Sequence, residues 1–186
     1  MTISAPCLIG FNKAGVATVL STIKGTLAAL ASLEINYKVT IVTQNVDDLH
    51  ERAGSTDILH LHGELLKARS TKNEQLIYNR KEDILLGDLC EENSQLRPHI
   101  VWFGEAVPML DKAIEITSKA DILIIIGTSM QVYPAASLID YVPSHIPIYF
   151  IDPKPAVSRT SFSNLTVIPE KATKGVEFLI NTYLNG

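Results

Sequence analysis

Side chains that could carry out chemistry are concentrated between Thr43 and Ser70. The β-branched run KVTIV at 38–42 predicts a strand and leads directly into Gln44, Asn45, Asp47 and a second aspartate. A second short apolar run ends in His62, followed by glycine and glutamate. Histidine can accept or release a proton near neutral pH, so a histidine at the end of a strand suits a general base. Polar groups at two strand ends therefore predict a functional site.

His60 and His62 alternate along the second run, so both side chains are expected on one face of the strand. A metal pair is one interpretation. The favoured one is that one histidine is structural and the other faces a crevice, because no cysteine or third histidine is near. The only cysteines, Cys7 and Cys90, form neither a disulfide framework nor a four-ligand zinc site. They favour a reducing compartment.

The wider pattern alternates strands with helices. It predicts an α/β fold, Rossmann-like, with a mostly parallel sheet and helices on both faces. We expect one domain over residues 1–186, with residues 67–98 as a small inserted subdomain. The predicted helices are 13–33, 46–52 (capped by Asn45), 110–119, 134–141 and 171–184; the predicted strands are 38–42, 57–62, 99–103, 121–126, 146–151 and 165–168.

Three of the predicted strands end in polar residues. Gln44 and Asn45 follow the first, Thr128 and Ser129 follow DILIIIG, and Asp152 follows IPIYFI. In an open parallel sheet, ligands bind beyond the carboxyl ends of the strands. Each ending alone is better explained as a turn, but the three together favour a nucleotide-like site. The chain contains no Gly-x-Gly, which excludes both the dinucleotide fingerprint and the P-loop.

Bulk properties exclude several classes of protein. The formal net charge of −4 offers no electrostatic reason to expect nucleic acid. Residues 14–32 are fairly apolar, but Lys24 and Gly25 interrupt them, so we expect an amphipathic helix and no membrane segment. Cytoplasmic localisation is the default expectation. The oligomeric state is not predictable from the sequence.

Seven short motifs occur in one order along the chain. They are TQNVD (43–47), LHERAG (49–54), HLHGE (60–64), LRP (96–98), VWFGE (101–105), GTS (127–129) and VYPA (132–135). On these motifs the chain resembles the sirtuins, NAD-dependent protein deacylases, and in particular the compact bacterial type. The resemblance covers roughly residues 34 to 184, and the joint pattern is highly specific.

The resemblance implies NAD as cofactor, acyl-lysine peptides or proteins as substrates, and release of nicotinamide and O-acyl-ADP-ribose. It implies that His62 is the general base that deprotonates a ribose hydroxyl. The other implied roles fall into three groups: Gln44, Asn45, Val46 and Asp47 line the nicotinamide and ribose pocket; Gly127, Thr128 and Ser129 hold the adenosine side, with Asp152 and Ala172 by the adenine; Val101, Trp102, Phe103, Gly104 and Glu105 clamp the acyl-lysine peptide as a strand.

Two departures from the family pattern carry further expectations. Sirtuins usually have four zinc cysteines in the insertion, whereas here only Cys90 remains, so we expect no metal and a subdomain held by packing alone. The Gly-Ala-Gly-Ile-Ser loop that grips the NAD phosphates, and the central strand before it, are also missing from the front of the domain. We expect unpaired backbone rows there, unless residues 5–11 supply a substitute strand.

The missing phosphate loop leaves two functional hypotheses. The first is a sirtuin-type deacylase, with weak or no activity in this N-terminally incomplete chain. The alternative is a catalytically impaired module that binds ADP-ribose or an acyl-lysine peptide.

Overall fold

The computed structural model describes residues 7–12, 24–128, 130–131, 133–155 and 162–184. Within these ranges the chain forms two sheets and the helices around them. The strands are β1 Cys7–Asn12, β2 Lys38–Thr43, β3 Ile58–His60, β4 Gly63–Ser70, β5 Ile77–Asn79, β6 Leu96–Ile100, β7 Ile122–Ile126, β8 Ile148–Ile151 and β9 Leu165–Ile168. The helices are α1 Lys24–Leu33, α2 Leu49–Ala53, α3 Leu110–Ser118 and α4 Ala172–Leu179, with a 3₁₀ helix at Ala135–Tyr141 and a π turn at Ile180–Leu184.

The main sheet has six strands in the order β3-β2-β1-β7-β8-β9. All pairs are parallel except those of β1, which runs antiparallel to both β2 and β7. The prediction of a mostly parallel α/β sheet is confirmed. The expected gap between β2 and β7 is filled by β1, which overlaps the predicted substitute strand. A strand in either direction can pair with the backbone donors and acceptors of two neighbours, so β2 and β7 are both paired on the side that faces β1.

The reversed direction of β1 decides which end of the strand meets the candidate site. Cys7 lies opposite Thr43 and Ile126, at the carboxyl ends of β2 and β7. Asn12 lies opposite Lys38, at the other edge of the sheet. A phosphate-binding loop would be needed at the edge formed by the carboxyl ends of β2 and β7. The chain leaves β1 at the opposite edge of the sheet.

Helices cover both faces of the main sheet, as predicted. Along β7, Ile124 and Ile126 pack with α1 and α4, whereas Leu123 and Ile125 pack with α3 and the 3₁₀ helix. All four side chains are fully buried. Successive side chains of a strand point to opposite faces of the sheet, and both faces of β7 are covered by helices. Every side chain of the strand must therefore be apolar, which explains why DILIII contains no polar residue after Asp121.

The smaller sheet has the order β5-β4-β6 and lies between Gly63 and Ile100, so the predicted insertion of 67–98 falls within it. Its core is a small cluster centred on Ala68, Cys90 and Leu96. The Cys90 thiol donates to Ser70 Oγ at 3.4 Å, and that oxygen accepts two backbone N–H groups of the following turn. Among the residues described, no group of three or more His, Cys, Asp or Glu could hold a metal ion.

Three predicted elements were wrong in their bounds. The strand predicted at 57–62 ends at His60, so His62 lies in the turn between β3 and β4 and not at the end of a strand. The helix after β2 begins at Leu49 with Asp48 as its N-cap, and not at 46 with Asn45, because the intervening loop is bonded to another segment. The predicted strand 99–103 ends at Ile100. Residues 102–105 instead form a turn, in which the Glu105 N–H donates to the Trp102 carbonyl and Gly104 has φ +90°. Residues 13–23 of the first predicted helix lie outside the described ranges.

Within the described ranges, every helix is too short or too polar to span a bilayer.

Candidate active site

The two motifs TQNV and HLHGEL are joined by a row of hydrogen bonds. Four successive backbone carbonyls, from the last residue of β2 and the loop after it, accept hydrogen bonds from the segment 60–65. The pairs are Leu61 N–H to Thr43 O (2.8 Å), His62 Nδ1 to Gln44 O (3.1 Å), His60 Nδ1 to Asn45 O (3.0 Å) and Leu65 N–H to Val46 O (2.6 Å). Two segments that are well separated in sequence are thereby held in one site.

The imidazole of His62 is fixed in one tautomer by this row. A carbonyl oxygen can only accept, so Nδ1 must carry the proton, and in the neutral ring Nε2 is then the basic nitrogen. Burial lowers the pKa of His62 below its usual value, and the hydrogen bond to the Gln44 carbonyl offsets part of that effect. The ring is therefore neutral at pH 7 and can accept a proton through Nε2.

His60 is held differently. Its Nδ1 faces the Asn45 carbonyl and its Nε2 lies 2.8 Å from Glu51 Oε1 on α2. The side chain is only 8% exposed. Both nitrogens are therefore engaged by oxygen atoms, and His60 connects the loop to α2. Sequence reasoning missed Glu51, although its place in LHERAG, one turn into a predicted helix, was visible.

Asn45 contributes a buried acceptor that the surrounding protein leaves unused. Its backbone N–H donates to Thr43 Oγ1 at 3.0 Å, and its Nδ2 donates to Asp47 Oδ2 at 3.3 Å. Its Oδ1 is buried without a hydrogen-bond partner among the described residues. Leaving such an atom unsatisfied costs about 1–3 kcal/mol, which a ligand donor would recover. Gln44 is also buried, and Asp47 and Val46 are partly buried.

The carboxyl ends of β7 and β8 form the other part of the same edge. Gly127 (φ +65°) donates its N–H to Ile151 O, and Thr128 is 4% exposed, its Oγ1 accepting the N–H of Met130. Asp152 Oδ1 accepts the N–H of Lys154 at 2.7 Å. These local bonds are typical of turns, as expected for each ending alone. Ser129 lies outside the described residues, and Ala172 opens α4 with its side chain partly buried against the core.

Strand order fixes how the two parts are spaced. Only β1 separates β2 from β7, and neighbouring strands are about 4.8 Å apart, so the ends that lead into Gln44 and Gly127 are about 10 Å apart. Asp152 follows the next strand along. The predicted residues on β2, β3, β7 and β8 therefore share one edge of the sheet.

The segment 101–105 adjoins His62 from the second sheet. The Val101 N–H donates to the His62 carbonyl at 2.9 Å. Trp102 is 55% exposed and Phe103 is fully exposed. The carboxylate of Glu105 points to Arg97, Arg69 and the Trp102 N–H, so it is engaged within the protein.

Gly63 makes a close approach to another segment of the protein: a Cβ at Gly63 would lie 2.0 Å from the His99 carbonyl oxygen, and the residue has φ +80°. Glycine is required here because β6 passes so near.

Comparison with known proteins agrees with this geometry. The sequence profile of the Sir2 family matches residues 16–134. The chain belongs to the Sir2 family.

Among curated relatives, an NAD-dependent protein deacylase of Helicobacter pylori strain 26695 is 56% identical over 152 residues, which are 82% of this chain and 66% of that protein. One of Bacteroides thetaiotaomicron is 51% identical over 156 residues, 81% of this chain and 66% of that protein. This sirtuin chain thus spans slightly less than two thirds of the length of these relatives.

Solved Sir2 structures superpose on the same region. A Sir2 homolog–NAD complex has a TM-score of 0.72 at 36% identity and covers 84% of this chain and 63% of its own. A Sir2–p53 peptide–NAD⁺ complex has a TM-score of 0.68 at 28% identity, with 87% and 70% covered.

Proposed function

We propose that this chain is an NAD-dependent protein lysine deacylase that releases nicotinamide and O-acyl-ADP-ribose. The observation that carries the proposal is the fixed tautomer of His62: Nδ1 is bonded to the Gln44 carbonyl, and Nε2 remains as the base. Its lowered pKa keeps the ring neutral at pH 7. Membership in the Sir2 family and relatives named NAD-dependent protein deacylase support the reaction class.

The residues near His62, at the carboxyl-terminal edge of the main sheet, fit NAD. Asn45 Oδ1 is buried without a hydrogen-bond partner in the described part of the chain, so it offers an acceptor to a hydroxyl or amide of the cofactor. We assign its sequence neighbours Gln44, Val46 and Asp47 to the same pocket. We assign the adenosine end to Gly127, Thr128, Ser129, Asp152 and Ala172. When bound, NAD supplies the ribose carbon that receives the acyl oxygen as nicotinamide departs.

His62 then has one defined task, which is to take the proton of a ribose hydroxyl on Nε2. The proton on Nδ1 remains on that nitrogen and hydrogen-bonded to the Gln44 carbonyl oxygen, so the imidazolium that forms is held in place and stabilised by that oxygen. A positioned base of this kind is typically worth about 10²–10⁴-fold in rate.

We assign the acyl-lysine peptide to the surface of Val101, Trp102, Phe103 and Gly104. Large aromatic side chains that are half or fully exposed beside a base are a natural surface for an apolar or extended ligand to cover. The hydrogen bond from Val101 N–H to the His62 carbonyl ties this surface to the base. The reaction is expected in the cytoplasm, in keeping with the presence of only two cysteines.

The test is NAD-dependent deacetylation of an acetyl-lysine peptide by the purified chain, followed under multiple turnover through the free-lysine peptide that forms after the step assigned to His62. We expect product with the wild type, loss of about 10²–10⁴-fold in His62→Ala, and no loss in His145→Ala, a matched change at an exposed histidine. The absence of product with the wild type would refute the proposed activity. If calorimetry then detected peptide binding without turnover, the chain would be an acyl-peptide-binding module.

A further inference from the structure

Two arginines of the second sheet face each other across neighbouring strands. Arg69 on β4 is directly opposite Arg97 on β6 in the antiparallel register. Like charges in this arrangement destabilise a sheet. The Arg69 side chain is only 4% exposed, so water cannot screen its charge effectively. A carboxylate is therefore needed between the two guanidinium groups.

Glu105 supplies that carboxylate. Arg97 donates from Nη1 to Oε1 at 2.6 Å and from Nη2 to Oε2 at 3.2 Å, and Arg69 Nη2 donates to Oε2 at 3.3 Å. The hydrogen bonds from Arg97, and then that from the Trp102 N–H, hold the pKa of Glu105 below its usual value. Arg69 also lies 3.3 Å from Glu74, which is 61% exposed.

The same carboxylate closes the turn that carries the exposed aromatic residues. Oε2 accepts the N–H of Trp102 at 3.0 Å, and the Glu105 N–H returns a hydrogen bond to the Trp102 carbonyl at 3.0 Å. Gly104, at φ +90°, allows the chain to reverse between them. One side chain thus connects the paired arginines of β4 and β6 to the backbone of the turn.

We propose that Glu105 is a positioning residue: it locks the turn 102–105 onto the paired arginines of the second sheet. Its carboxylate is engaged by groups of the protein itself. It holds Trp102 and Phe103 in their exposed positions beside His62, so the small sheet determines the shape of the peptide-binding surface. The functional part of this inference rests on the proposed deacylase function, whereas the clamp is a property of the ligand-free protein.

Trp102 is the only tryptophan of the chain, so its fluorescence reports on the turn alone. In Glu105→Ala we expect red-shifted emission and stronger acrylamide quenching than in the wild type. Acetate should reverse both changes by occupying the vacated arginine pair, and chloride at equal ionic strength should not. Glu74→Ala is the matched control, because it removes a carboxylate from the same Arg69 but leaves the turn intact.

Unchanged emission and quenching in Glu105→Ala would overturn the proposal, as would an equal change in Glu74→Ala. Should Glu105→Ala fail to fold, Glu105→Gln keeps the side-chain volume and loses the charge, and the same spectral comparison applies to it. Because Glu105→Gln loses the charge that meets the two arginines, we expect its emission to be red-shifted from that of the wild type, and unchanged emission would again refute the proposal.

The functional consequence is measured on the acetyl-lysine peptide. Because a loosened turn must be ordered again on binding, we expect Glu105→Ala to raise KM or Kd for the peptide by about tenfold with little change in kcat. An equal fall in kcat with unchanged KM would contradict positioning. A spectral shift in a protein whose wild type binds no peptide would support the clamp while refuting the proposed function, so the two failures are distinguishable.

Discussion

Replacing Gly63 by alanine tests the closest approach at the site. A Cβ there would lie 2.0 Å from the His99 carbonyl oxygen and 2.9 Å from its carbon, and both belong to the backbone of β6, so a rotamer change cannot relieve the overlap. The residue also has φ +80°, where a side chain costs about 1–2 kcal/mol. Overpacking adds about 1–3 kcal/mol. The sum predicts a loss of roughly 2–5 kcal/mol in the free energy of unfolding.

Two other glycines separate these contributions. Gly87 has φ +97°, but a Cβ added there would meet open space, so Gly87→Ala should cost only the backbone part, about 1–2 kcal/mol. Gly25 lies in helix α1 without a positive φ and also in open space, so Gly25→Ala should stabilise by about 0.5–1 kcal/mol. The order of stability is therefore Gly25→Ala above wild type, then Gly87→Ala, then Gly63→Ala.

Urea unfolding measures the three free energies. For a chain of this size about 1 kcal/mol corresponds to roughly 2–4 °C in Tm, so thermal unfolding should give the same order. Gly63→Ala should also weaken turnover, because a displaced β6 moves Val101, whose N–H is bonded to the His62 carbonyl. Equal losses in Gly63→Ala and Gly87→Ala would refute the argument from close approach, since only the backbone strain would then count.

Three further predictions concern packing and pH. Gly175 lies inside helix α4, but a Cβ there would meet Ile151 Cγ2 at 2.2 Å. Gly175→Ala should therefore lower the free energy of unfolding in urea by about 1–3 kcal/mol. Stabilisation like that expected for Gly25→Ala would contradict this. Burial lowers the pKa of His62 from its usual 6.5, so the acid limb of kcat/KM should lie below pH 6.5, and a limb above that value would exclude His62 as the base. The folded state also binds fewer protons than the unfolded one at both His62 and His99, so their contribution to stability is present above pH 6.5 and lost as the pH falls; unfolding free energies at pH 5 and 7 measure it.

The sequence predicted most of the fold because its strongest patterns are local. The continuous apolar run of β7 and the β-branched run of β2 identify strands whatever surrounds them. The direction of β1 was not predictable, because a six-residue strand pattern is the same read from either end. Asn45 and Asp48 are equally good N-caps by type, and long-range bonds from the segment 60–65 to the carbonyls of 44–46 keep the first out of the helix.

The site shows the same division between local and long-range information. His62 and Asn45 were identified from their motifs, but the role of Glu105 was not. An aromatic run followed by Gly-Glu predicts a strand end or a turn, and neither indicates that the carboxylate meets two arginines from other strands. Arg69 and Arg97 come together only through the register of β4 and β6, which no local pattern determines.

The direction of β1 leads to a last prediction, on phosphate recognition. The half of the site around His62 is built by the bonds between the loop after β2 and the segment 60–65, and these do not involve β1. The adenosine half follows β7 and β8. A dinucleotide that joins the halves must cross β1, whose carboxyl end lies at the opposite edge of the sheet. Phosphates are normally held by a loop that follows the carboxyl end of a strand and by the helix after it.

We therefore expect the diphosphate to add little to affinity. Calorimetry should give ADP and adenosine Kd values within about tenfold of each other, which is a difference of about 1.4 kcal/mol or less. The ADP affinity should also depend weakly on salt, because few cations would contact the phosphates. ADP binding more than about tenfold tighter than adenosine, and weakened by salt, would mean that another part of the chain holds the phosphates, and the inference from β1 would then be wrong.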